Sequence, residues 1–212
     1  MAIAPSEIPL RRRLPAEQRR ALILEVARTL FARNGFHATG THEIAAAAGC
    51  SEPIIYKHFA SKQALFAAVL EDCALEVRGL LEQALAEHED PLAAYGTFAR
   101  RLVSEPRLIE ITRLRTLALS LVHEPVIHET LLRVSEMMRG RWARILEQGQ
   151  RLGTVRSDIV AEDVCLLGLG VSLTAGYLQA IGGDAALAQL PHMLDTMIAL
   201  LRPPNREGGD PV

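Results

Sequence analysis

Apolar side chains near the start of the chain fall at Leu22, Ile23, Val26, Ala27, Leu30 and Phe31, in pairs repeated every fourth residue. That period runs one stripe along a helix, predicted over residues 16–33. Asn34-Gly35 predicts a left-handed C-terminal cap. A short helix is expected over 41–48, preceded by Thr39 or Gly40 and closed by Gly49. Ser51 offers the next N-cap, and Pro53 sits in a first turn where its missing N–H costs nothing. That third helix ends near Phe59. Ser61 caps a long helix over 62–88, with Phe66, Val69, Cys73, Val77 and Leu80 on one face. Beyond Pro91 the pattern predicts helices over 91–103, 106–122, 125–151, 160–181 and 184–201. Breaks are expected at Pro106, at Pro125, across 149–158 and at Gly182-Gly183-Asp184.

Composition narrows this picture to an all-α fold. Apolar residues make up 49% of the 212 positions but aromatics only 4%, and Ala, Leu, Glu and Arg dominate, a mix that favours helix over strand. The expected organisation is a mobile basic arm over 1–14, a small helical unit over 15–62, a larger one over 63–202, and a disordered polar tail over 203–212.

Charge adds a direction. Residues 1–62 hold nine Lys+Arg against five Asp+Glu, whereas the remainder holds 14 against 20. A basic end on an acidic body points to a polyanion partner at that end only. Arg11–Arg13 are read either as a solvated arm or as a reach into a DNA minor groove. Cys50, Cys73 and Cys165 have no paired spacing, so they read as small core residues of a reducing, cytoplasmic compartment. The uncharged stretch from Val164 to Gly183 matches a membrane span in length. Its five glycines, with Ser172, Thr174 and Gln179, favour a buried helix of a soluble protein, with no membrane partner.

Catalysis is not expected. The seven histidines are scattered, none stands four residues from another or near a ligand-spaced cysteine, and there is no phosphate loop or nucleophile elbow. No cofactor and no metal are expected.

Two short helices joined at Gly49 make a helix-turn-helix candidate, packed through Ile44, Ala45, Ala48, Ile55 and Phe59. Pattern alone leaves a generic helical hairpin equally open. More specific are three runs: Ala27-x-x-Leu30-Phe31-x-x-x-Gly35-Phe36-x-Ala38-Thr39, Ile44-Ala45-x-x-Ala48-Gly49-x-Ser51, and Tyr56-x-His58-Phe59-x-Ser61-Lys62-x-x-Leu65. Across residues 20–70 the chain closely resembles the DNA-binding domain of TetR-type (TetR/AcrR) transcriptional regulators. The resemblance implies a three-helix DNA-binding domain joined by a fourth helix to an all-α ligand-binding and dimerisation domain. It implies a homodimeric regulator, expected to be a repressor, that binds double-stranded palindromic operator DNA and is released by a small-molecule effector. A DNA-binding protein of the same fold that responds to no ligand is the alternative.

With that resemblance in place, Thr39, Thr41, His42, Ser51, Glu52, Pro53, Ile54, Tyr56, Lys57, His58 and Lys62 become candidate DNA-binding residues. Tyr56, His58 and Lys62, at and after the end of the third helix, suit phosphate oxygens. Glu52 either accepts from a cytosine amino group or complements the helix dipole. Pro53 and Ile54 suit thymine methyls, and Lys57 suits guanine. Ile54 departs from the Thr or Ser expected there. His42 is read as a base or phosphate contact, or as a solvated side chain.

In the larger unit, Gly168, Ser172, Gly176 and Ala180 recur every fourth residue and form a small-residue stripe. Such a stripe favours close helix packing and is expected to be the dimer interface, with packing inside one subunit as the alternative. An effector pocket is expected among the central helices, lined by Phe98, Leu117, Trp142, Leu169 and Tyr177. Arg113 and Arg115 point in divergent directions, so one of them at most faces inward, where it suits an acidic ligand.

Overall fold

The computed structural model describes residues 14–204, apart from the side chains of residues 179, 180 and 182–187. The expected arm, Arg11–Arg13 included, and nearly all of the expected tail lie outside the described residues, as does the side chain of Ala180. The described residues form nine helices and no strand: α1 (Ala16–Asn34), α2 (Thr41–Ala47), α3 (Glu52–His58), α4 (Lys62–Glu87), α5 (Pro91–Ser104), α6 (Pro106–Leu119), α7 (Pro125–Leu152), α8 (Ala161–Leu187) and α9 (Leu190–Leu201).

Of the predicted stripe of α1, Ile23, Ala27 and Phe31 are buried and Val26 and Leu30 half-buried, whereas Leu22 is exposed and Leu24 is buried in its place. Phe31 meets Phe36 and Phe66 with ring centroids 5.7 and 5.1 Å apart. Removing a phenylalanine side chain from water contributes about 1.5–3 kcal/mol, so this cluster is a main source of cohesion in the N-terminal unit. Gly35 does end the helix, but not through the expected left-handed cap. Its φ of 84° and ψ of 166° lie in an extended region open essentially to glycine. Its N–H nonetheless bonds Phe31 O at 2.9 Å.

Helix α4 belongs to both units. Its N-cap Ser61 accepts from Ala64 N–H at 3.0 Å. Leu65, Phe66 and Val69 pack among α1–α3, while Val77, Leu81 and Ala84, further along, face the body. One continuous apolar cluster therefore crosses the expected boundary near residue 62.

A polar clamp reinforces the same junction. Arg28 of α1 is fully buried and donates to Glu76 of α4 at 2.6 Å and to the Arg107 carbonyl of α6 at 2.9 Å. Arg107 in turn donates to Glu76 at 2.7 Å and to Glu25 at 2.9 Å.

In the body, α5–α9 enclose Phe98, Leu108, Ile111, Leu114, Ile127, Ile145 and Leu194. The predicted break at Gly182-Gly183-Asp184 does not occur. Helix α8 continues through the glycines to Leu187, and the chain reverses only ahead of Pro191, in the first turn of α9. A proline there has no N–H to extend α8, whereas glycine merely weakens a helix. The segment Ala161–Leu178 is long and apolar enough to cross a membrane, at a mean hydropathy of 1.2. It is not the wholly buried helix expected. Val164, Ser172 and Ala175 face inward, while Leu166, Leu167, Tyr177 and Ile181 remain exposed.

Candidate nucleic-acid interface

The reversal between α2 and α3 depends on Gly49, whose φ is 65°. Cys50 N–H returns to Ala45 O at 2.9 Å, which closes the turn. Ile44, Ala45, Ala48, Ile55 and Phe59 are buried between the helices, as the pattern predicts. Burying Ile55 and Phe59 fixes the roll of α3 and leaves Ser51, Pro53, Tyr56 and Lys57 on its exposed face, with Ile54 half-buried beside them.

Two residues that the sequence did not single out anchor this arrangement. Arg19 donates to Ala48 O at 3.0 Å, satisfying a carbonyl at the end of α2. The Arg20 guanidinium lies over the Phe59 ring at 5.2 Å. Both belong to the basic first turns of α1, and no local motif marks them as reaching across to the helix pair.

The candidate DNA residues divide into three groups. Thr39 is not available to a ligand. It is fully buried and its hydroxyl lies 2.7 Å from Gly35 O and 3.2 Å from Leu30 O, so it secures the turn after α1. Thr41 is also buried. Its hydroxyl donates to the Glu52 carboxylate and lies 3.1 Å from the Tyr56 hydroxyl. With the Thr41 proton committed to Glu52, the Tyr56 phenol donates to Thr41 and keeps its lone pairs outward. Glu52 is thus held beside the first turn of α2, where its charge complements that helix's dipole. Glu52 also stands in the first turn of α3, the helix whose dipole it was expected to complement.

The exposed group comprises His42, Ser51, Pro53, Tyr56 and Lys57, with His58 half-buried at the end of α3. The His42 ring folds back over Gly40, where an added Cβ would meet it at 2.5 Å. Lys62 stands apart. Its ammonium lies 4.5 Å above the Phe36 ring and donates to His37 O at 3.5 Å. Desolvation lowers its pKa from the ordinary lysine value. Lys62 therefore ties the start of α4 to the turn after α1 as well as presenting charge beside α3.

A three-helix unit with a glycine turn and an exposed, partly basic α3 has the geometry of a helix-turn-helix DNA-binding unit. Comparison with known proteins agrees. Residues 23–69 match the family described as bacterial regulatory proteins, tetR family, and residues 90–198 match the C-terminal domain of SbtR-like transcriptional regulators. The chain belongs to the TetR family. It is 30% identical over 151 residues to the transcriptional repressor KstR2 of Rhodococcus jostii, a match covering 68% of this chain and 71% of that protein. It is 48% identical over 59 residues to the transcriptional activator FasR of Mycolicibacterium smegmatis, covering 28% of this chain but only 27% of the activator. Its fold matches the crystal structure of a transcriptional regulator from Saccharomonospora viridis in complex with choline. The TM-score is 0.73 at 21% identity, over 86% of this chain and 96% of that one.

In the body, the small-residue stripe packs inside its own subunit and is not a free face. An added Cβ at Gly176 would stand 2.1 Å from Thr116 Oγ1, and Ser172 accepts from Arg115 at 2.9 Å, both on α6. A Cβ at Gly168 would stand 3.3 Å from the Tyr95 hydroxyl of α5. The small side chains let α8 approach α5 and α6, which is the packing inside one subunit that stood as the alternative to a dimer interface at Gly168, Ser172 and Gly176.

The proposed pocket residues separate as well. Phe98 is buried, and Trp142 packs edge-on to Tyr95 with centroids 4.8 Å apart. Leu117 is half-buried against the same core. Leu169 and Tyr177 are 38% and 59% exposed, so neither faces an interior space. They fall outside the inward arc of α8, which the apolar run alone could not reveal because apolar residues occur all round that helix.

Proposed function

We propose that this TetR-family chain acts in the cytoplasm as a homodimeric repressor that binds a palindromic operator and leaves it when a small molecule occupies the body. The observation that carries the reading is the face of α3, where buried Ile55 and Phe59 turn Ser51, Pro53, Tyr56 and Lys57 outward beside His42. In this reading Lys57 and Pro53 read bases, while Tyr56, His58 and Lys62 hold phosphates. Repression is favoured over activation because the similarity to the repressor KstR2 extends through the body, whereas that to the activator FasR is confined to 59 residues. An effector is supported by the choline bound in the Saccharomonospora viridis neighbour.

The second subunit is assigned to the outer side of α8. Leu166, Gly170, Tyr177 and Ile181 lie opposite the inward Ser172, and Tyr177 and Ile181 are 59% and 64% exposed. Selection of binding sites from random duplexes by the full-length protein tests the reading. A two-fold symmetric consensus, with half-sites one helical turn or a multiple of it apart, is expected. Enrichment of a single asymmetric site, or of no site, contradicts it.

A further inference from the structure

Arg115 points into the subunit, and no carboxylate answers it. Its Nη1 donates to Ser172 Oγ at 2.9 Å. None of the ion pairs among the described residues includes it. Protein atoms surround the guanidinium closely enough for desolvation to lower its pKa from the ordinary arginine value. A cation held this way is costly unless an anion joins it, because a neutral hydroxyl replaces little of the lost hydration. The neighbouring Arg113 is already accounted for, reaching out to the Ala32 carbonyl of α1 at 3.3 Å.

A second donor faces the same helix. Tyr95 of α5 packs against Trp142, and its hydroxyl approaches α8 at Gly168, where an added Cβ would stand 3.3 Å away. Burial pushes the phenol pKa up, so it remains an O–H donor. Gly168 and Ser172 are one turn apart on the inward side of α8, about 6 Å along the axis. Neither the Tyr95 hydroxyl nor the remaining nitrogens of Arg115 have a hydrogen-bond partner among the described residues. Yet Arg28 Nε is the sole sealed, unpartnered side-chain polar atom among those residues. The free donors of Arg115 and Tyr95 therefore keep an opening to solvent.

We infer that the effector is a small carboxylate with an apolar body, its carboxylate taken by the Arg115 guanidinium and the Tyr95 hydroxyl between α5, α6 and α8. A guanidinium and a phenol together suit the two oxygens of a carboxylate. The apolar part lies against Trp142, which meets Tyr95 edge-on and is only partly covered by the core. The inference rests on the reading that the body takes an effector, and it fixes that effector's charge.

Octanoate, octanol and octylamine carry one apolar body with negative, neutral and positive heads. Full-length wild type, Arg115→Met, Arg115→Lys and Tyr95→Phe are titrated with each, following the melting temperature and operator affinity. For wild type, octanoate is expected to raise the melting temperature and weaken operator binding, with octanol and octylamine much less effective. Arg115→Met should lose roughly tenfold or more in octanoate affinity, the size of one charge-assisted hydrogen bond. Arg115→Lys keeps the charge for the case where the methionine variant does not fold, and should fall between. Tyr95→Phe should lose less than Arg115→Met. Octanoate without effect on wild type, or equally effective on Arg115→Met, overturns the inference. If octanol or octylamine then releases the operator, the effector reading stands while the anion falls; if none of the three acts, both fall. Sedimentation of Arg115→Met should show an unchanged dimer. A shift to monomer would assign Arg115 to a carboxylate of the second subunit and overturn the proposal.

Discussion

Arg28 of α1 donates to Glu76 of α4 at 2.6 Å, with its own side chain sealed from solvent. Because α1 packs against the helix pair α2–α3 and α4 runs into the body, this pair clamps the two units together. Arg107 brings α6 into the same clamp by gripping Glu76 and Glu25. Arg28 Nε has no hydrogen-bond partner and forms only a longer ion pair with Glu110 at 3.8 Å.

Glu76→Gln removes the charge that answers a buried guanidinium. Breaking a buried pair by altering one partner costs about 3–5 kcal/mol. The lower end is expected here, because Glu76 is 26% exposed and Arg28 keeps its bond to the Arg107 carbonyl. Urea denaturation of wild type and variant measures the loss. A difference below about 1 kcal/mol, the worth of an exposed pair, would contradict the clamp.

The clamp also sets a pH response. Burial pushes the Glu76 carboxyl up, but hydrogen bonds from Arg107 and Arg28 outweigh it and hold the pKa below the ordinary 4.5. The hydrogen bond from Arg107 lowers that of Glu25 likewise. A carboxylate depressed in the folded state contributes stability that is present above its unfolded pKa and lost as pH falls through the folded value. Wild type should therefore lose more melting temperature than a Glu25→Gln, Glu76→Gln double variant as pH drops from about 5 to about 3. Parallel profiles would remove the clamp from the acid response.

Helix α8 makes opposite predictions for its two sides. Gly176→Ala drives a methyl group into Thr116 Oγ1, and overpacking of that kind costs about 1–3 kcal/mol. It should lower the melting temperature while the oligomeric state stays the same. Tyr177→Asp, on the exposed side, should instead release monomers that keep their helix content. Sedimentation velocity and circular dichroism separate the two. A dimer lost on Gly176→Ala and kept on Tyr177→Asp would return the interface to the small-residue stripe.

On α3, Lys57 is exposed and makes no hydrogen bond or ion pair among the described residues, whereas Lys62 is engaged with Phe36 and His37. Lys57→Ala should change operator preference at one or two positions of each half-site, at about 1–3 kcal/mol per lost base contact. It should leave the melting temperature unchanged. Lys62→Ala should reduce both operator affinity and melting temperature. Repeating the site selection with Lys57→Ala checks the first expectation, and an unchanged consensus would remove Lys57 from base readout.

Much of the fold was legible because its punctuation is local. Pro91, Pro106 and Pro125 each open a helix, Ser61 caps α4, and Gly49 makes the turn between α2 and α3. The break in α8 was misplaced because glycines permit a break without requiring one, while Pro191 requires it. What the sequence could not show is which neighbour a side chain meets. No motif marks Arg28 of α1, and only the folded chain brings Glu76 of α4 and the Arg107 carbonyl of α6 to it. Thr39 reads as a DNA contact until the chain folds its hydroxyl onto Gly35 and Leu30. The small-residue stripe announced close packing but not its partner, which is α5 and α6 of the same subunit.

Operator binding by a symmetric pair of α3 helices is the central claim, and sedimentation of the full-length protein on fluorescent duplexes tests it most directly. One duplex carries the selected palindrome and the other carries a single half-site with the second scrambled. Two chains per palindromic duplex are predicted, with affinity for the half-site lower by roughly 100-fold, since the second α3 then loses its linked site. A single chain bound to each duplex with equal affinity would contradict it.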